Sequence, residues 1–108
     1  MAKVSFEVAT YQYYDWSSRQ TGKTNLILKG TGGQTCSVWF TEDAAAVLPA
    51  AQQLAPTIFN FYYHHHQLQH LIDMLRYEKP IYVHFDNDAG NNSRISTTDE
   101  PIGEGLEP

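Results

Sequence analysis

The chain has 108 residues with seven Lys or Arg and twelve Asp or Glu, a formal net charge of −5, and 42% apolar and 13% aromatic content. That is the composition of one globular domain, which excludes a disordered chain and a two-lobed enzyme, and a core can form at this length without disulfides or a structural metal. No apolar run approaches the ~20 residues that cross a bilayer and Met1–Glu7 lacks the apolar core of a signal peptide, so the expectation is a soluble, cytoplasmic protein with no membrane partner.

In chain order, Val4, Phe6 and Val8 alternate with Lys3, Ser5 and Glu7, the period-two pattern of a strand with one buried face, and this first strand is expected over about Lys3–Tyr13. Turn formers follow from Asp15 to Gly22, and a second strand is expected over Thr24–Lys29. Gly30-Thr31-Gly32-Gly33 supplies the positive φ that a tight hairpin needs. A third strand then carries Cys36, Val38 and Phe40 on one face. Short connections without an intervening helix imply an antiparallel meander, because parallel pairing needs a crossover of a dozen or more residues.

Thr41 reads as a helix cap, with Glu42 and Asp43 at the positive end of the dipole and Ala44–Leu48 as helix formers up to a kink or restart at Pro49. After Pro56 a long helix is predicted over about Ile58–Tyr77, with Phe61, His65, Leu68, Leu71, Ile72 and Leu75 on one stripe that packs on the sheet. Pro80 ends it. Ile81, Val83 and Phe85 form a fourth strand, and a hairpin through Asn87–Asn92 leads to a fifth near Ser93–Thr98. The predicted fold class is α+β: an antiparallel sheet of about five strands, in the order β-β-β-α-α-β-β, with helices packed on one face. Residues 1–98 make the single domain and 99–108 an acidic flexible tail. Four of the twelve acids lie in that tail, so residues 1–98 hold seven bases and eight acids and are close to neutral.

Most motifs fail on their neighbours. Gly22-Lys23-Thr24 lacks the earlier glycine of a phosphate-binding loop and leads into a strand where that motif needs a helix. Asp86–Asn92 is oxygen-rich, but its glycine is fifth and its twelfth position is Thr97, against the sixth-position glycine and twelfth-position glutamate of a calcium loop. Asn91-Asn92-Ser93 matches the glycosylation pattern without a secretory signal. Cys36 sits on an apolar strand face, where a lone cysteine acts as a small hydrophobe, and no Ser nucleophile or carboxylate pair stands out. An enzyme is therefore the less favoured reading.

Two features remain. His66 and His70 lie one helical turn apart with Asp73 continuing that edge, a ligand set for a metal, though Gln67 replaces the glutamate of a zinc protease. That metal or small-ligand reading, with Tyr82 and His84 nearby, is kept as an alternative to solvated or interface histidines, and no cofactor is assigned. Aromatic residues also cluster at Tyr11–Trp16 and Phe59–Tyr63, more than one stripe and one sheet face can bury. Tyr and Trp are enriched at interfaces. The preferred function is thus a self-associating interaction or structural module, a homo-oligomer with a dimer as first choice, using Tyr13, Trp16, Trp39, Phe59, Tyr62 and Tyr63, with Tyr63, His66 and His70 on the second face of the long helix. A single-stranded nucleic-acid binder stacking bases on Tyr13, Trp39 and Tyr82 is the rival, opposed by the absence of a basic cluster.

Overall fold

The computed structural model describes residues 3–18, 24–87 and 92–97. Seven strands form one curled mixed sheet: β1 (Lys3–Asp15), β2 (Thr24–Gly30), β3 (Thr35–Thr41), β4 (Gln52–Ala55), β5 (Ile58–His64), β6 (Ile81–Asp86) and β7 (Arg94–Thr97), in the spatial order β4-β5-β3-β2-β1-β6-β7. The expected antiparallel meander β1-β2-β3 and the hairpin β6-β7 are present. At the β2–β3 turn Gly33 takes φ +84°, and a Cβ on Gly30 would run into the Phe6 ring.

The α+β arrangement of five antiparallel strands under packed helices is overturned. One helix of ten residues, α1 (Leu68–Tyr77), stands where two were expected, preceded by a 3-10 turn at His65–Gln67. Residues 58–64 form a strand because Phe59, Phe61 and Tyr63 alternate with Ile58, Asn60 and Tyr62, and an Ile-, Phe- and Tyr-rich run favours a pleated surface over a helix. This strand pairs parallel with β3, from Thr35↔Ile58 to Thr41↔His64, so the crossover that parallel pairing needs is made by a loop and β4, with no helix in it. The predicted helix after Thr41 starts and stops: Asp43 N–H donates to Thr41 Oγ1 at 3.3 Å, Ala45 N–H to Asp43 Oδ1 at 3.0 Å and Ala46 N–H to the Asp43 carbonyl at 3.0 Å. A following turn would place the Pro49 ring against the Ala45 carbonyl, and so short a helix has no stability of its own.

The core lies on the inner face of the curl. Phe59 of β5 meets Phe6 of β1 at 5.7 Å and Phe85 of β6 at 5.3 Å between ring centroids, tying one wing of the sheet to the other. Leu26, Leu28, Val38 and Val83 are fully buried around them, and α1 adds Leu68 and Leu71. No helix among the described residues is long and apolar enough to cross a membrane. The tail at 99–108, the phosphate-loop-like Gly22-Lys23 and most of the Asp86–Asn92 segment lie outside the described residues.

Candidate interaction surface

Among the described residues β1 is the longest strand and the only one that changes partners along its length on this sheet. Lys3–Glu7 pair with β6, from Asp86 to Tyr82, while Val8–Asp15 pair with β2 after an irregularity between Val8 and Thr10. β6 begins at Ile81, just after a proline that has no N–H to give a ladder. Over residues 9–15 the edge of β1 on the β6 side therefore has no strand beside it among the described residues. Ala9-Thr10-Tyr11-Gln12-Tyr13-Tyr14-Asp15 contains no proline, glycine or lysine and only one charge. Natural edges are blunted by brevity, bulges, prolines or charge. This stretch follows that rule only through the irregularity at its start, between Val8 and Thr10, whereas β7 has four residues, and β4 has four with an irregularity between Gln53 and Ala55 and Pro56 behind it.

Tyr11 and Tyr13 stand opposite Leu28 and Leu26, hence on the inner face, yet they remain 37% and 46% exposed because the core ends before reaching them. Partial burial, then the neighbouring Asp15 charge, raises the Tyr13 hydroxyl pKa above its usual 10.0. Beside this edge runs a groove of about 490 Å³, walled by Glu7–Tyr11 on one side and Leu75–Ile81 on the other. In its far wall the Arg76 guanidinium lies 5.3 Å from the centre of the exposed Tyr77 ring.

The six aromatic residues assigned to an interface do not share one surface. Phe59 is fully buried and belongs to the core. Tyr63 also faces inward against Phe40, at 6.2 Å, and burial pushes its pKa up to about 12. It lies in a strand, so the second face of a long helix carrying Tyr63, His66 and His70 does not exist. On the outer face, Trp16 is stacked between Tyr14 at 5.3 Å and Trp39 at 6.2 Å. Asn25 sits between Tyr14 and Trp39 in the same row, is buried there, and donates from Nδ2 to the Val38 carbonyl at 3.0 Å. Tyr62 follows in that row and donates its hydroxyl to Gln52 Oε1 at 3.2 Å. Trp16 thus stacks on both Tyr14 and Trp39, which takes up ring faces that a base would need for stacking. Tyr13 lies on the opposite face from Trp39 and Tyr82, so the three strand aromatics considered for nucleic acid form no common platform.

The proposed metal ligands are also separated by local geometry. His66 lies in the 3-10 turn with its ring stacked on His64 at 5.6 Å, whereas His70 and Asp73 belong to α1. A 3-10 turn has three residues per turn, so the α-helical spacing of positions 66 and 70 is lost. Asp73 Oδ1 accepts instead from Gln69 Nε2 at 2.9 Å. Among the described residues no three His, Cys, Asp or Glu side chains are placed to hold an ion. His64 takes part in the turn through its backbone, donating N–H to Gln67 Oε1 at 3.0 Å, while its Nδ1 is buried without a hydrogen-bond partner. Cys36 is fully buried and burial drives its thiol pKa far upward, which removes the thiolate a nucleophile requires.

One polar cluster went unnoticed in the sequence. Ser5, His84 and Ser96 line up across β1, β6 and β7, with Ser5 Oγ 2.7 Å from His84 Nδ1 and Ser96 Oγ 3.0 Å from Nε2. Burial, then the Arg94 charge, lowers the imidazole pKa below 6.5. The folded state thus binds this proton less readily than the unfolded chain, so this contribution is complete above 6.5 and is lost as pH falls from there towards the lowered value. The melting temperature is expected to drop on acidification across that window, by less in His84→Gln than in the wild type, as differential scanning fluorimetry would read.

No protein-family model, curated protein or solved structure matches this chain, so its own geometry carries the functional reading.

Proposed function

We propose that this protein is a self-associating structural or interaction module whose copies join by strand addition along β1. The observation that supports this reading is the seven-residue edge at 9–15, which no strand among the described residues pairs on the β6 side and which is rich in tyrosine and poor in charge. Backbone N–H and C=O groups along such an edge are a template for another strand, and high β-propensity with low net charge is the composition that pairs readily. A homodimer is the simplest closed assembly because one edge then satisfies its own copy. A lone, buried and unbridged Cys36 suits a reducing compartment such as the cytoplasm. Sedimentation velocity and light scattering across about 1 to 200 µM are expected to give a dimer mass at the upper end. A monomer at every concentration would overturn the proposal.

A further inference from the structure

The open edge is bounded at both ends, and its bounds define how a second copy fits. At one end, Tyr82 pairs with Glu7 and Ile81 follows, so the lane beside β1 is occupied up to about Val8. At the other, β1 ends at Asp15. The vacant lane is therefore residues 9–15, and its middle residue is Gln12. An antiparallel partner centred elsewhere would either shorten the ladder or run its chain into Ile81.

We infer that two copies pair antiparallel through β1 about a two-fold axis at Gln12, each inserting its Asp15 end into the groove beside its partner's Ala9. This rests on the self-association proposed above and specifies its register. Around that axis Tyr11 stands opposite the partner's Tyr13 twice over, and directly opposed aromatic pairs stabilise antiparallel strands. Both tyrosines are on the inner face and exposed in the single copy, so pairing covers the rings that the core leaves open. The partner's Asp15 arrives opposite Ala9, on the side where the groove carries Arg76 and Lys79. Glu7 and Glu78 line the same groove, so an entering carboxylate meets no net charge and finds two cationic donors. The choice of a second copy over an unrelated peptide follows from self-complementarity: the two exposed rings of this edge, Tyr11 and Tyr13, each meet the other's counterpart on the second copy, and nothing but this segment is needed to cover them.

Cysteine cross-linking reads the register directly. Opposed residues of an antiparallel pair have Cα atoms about 4.5–5.5 Å apart, within reach of a disulfide, whereas two copies of residue 13 would be about 8 Å apart in this register. Buried Cys36 does not compete. Under mild oxidation Gln12→Cys is expected to form a covalent dimer at least about tenfold faster than Tyr13→Cys alone, and mixing Tyr11→Cys with Tyr13→Cys to give the mixed dimer. Light scattering on the reduced samples shows whether a dimer exists. A dimer that cross-links faster at position 13 than at 12 overturns the register and leaves self-association standing, whereas a monomer in every reduced sample overturns both.

Discussion

Phe59→Ala is expected to cost about 3–5 kcal/mol of folding stability, the usual cost of emptying a buried phenylalanine site. The side chain is fully buried and, from β5 on one wing of the sheet, meets two rings of the other, Phe6 on β1 and Phe85 on the neighbouring β6. Its removal leaves a cavity where three strands meet, and the rigid backbone ladders around it allow little collapse. Domains of this size hold about 5–15 kcal/mol in all, so the variant should unfold at a much lower urea concentration with its m-value retained. The neighbouring Tyr62→Leu, on the outer face with its hydroxyl bonded only to Gln52, should lose less than about 1.5 kcal/mol, one hydrogen bond with no core cavity. The contrast is informative because a helix over 58–77 would leave Phe59 off the apolar stripe, and its truncation would then be nearly neutral. A cost under about 1 kcal/mol for Phe59→Ala would contradict its place in the core.

That residue also shows where reading the chain by periodicity succeeds and where it breaks down. Strands β1, β2, β3, β6 and β7 were legible because each pairs a period-two pattern with turn residues at its ends, and one short-range signal suffices for each hairpin. Residues 58–77 carry two patterns end to end. Phe59, Phe61 and Tyr63 repeat every second residue, and Leu68, Leu71, Ile72 and Leu75 every third or fourth, with Phe61 and His65 placed so that either series can be extended through them. The alternation at 58–63 and its aromatic content were the signal for a strand. Parallel pairing with β3 had no local signature, because the two strands are joined through a loop and a four-residue edge strand. The candidate ligands His66, His70 and Asp73 are not brought together because their spacing presumed one α-helix where the chain makes a 3-10 turn at His65–Gln67. The open edge of β1 was invisible in the sequence for a different cause. The residues 9–15 read as an ordinary strand end, and only the starting point of β6, about seventy residues later, leaves one side of them without a partner strand among the described residues.

Replacing Tyr11 and Tyr13 together by lysine is expected to weaken homodimerisation at least about 100-fold, or about 2.7 kcal/mol. In the register centred on Gln12, each introduced lysine at 11 faces the partner's lysine at 13, so two aromatic pairs are lost and two like-charge pairs are created on adjacent strands. The fold itself should survive, since both rings are more than a third exposed in the single copy and neither belongs to the core. The double glutamate variant should fail to self-associate for the same reason. An equimolar mixture of the two must then behave differently from either alone: lysines at 11 and 13 meet glutamates at 13 and 11, and a heterodimer forms that weakens as salt is raised. Sedimentation equilibrium of each variant and of the mixture measures this at one set of concentrations. Loss of both homodimers with recovery in the mixture requires that positions 11 and 13 lie in the contact and meet the same strand of the partner, because charge placed away from the contact would leave the mixture and the single variants alike. Homodimers of wild-type affinity in either variant would exclude β1 as the contact, whatever the mass of the native protein.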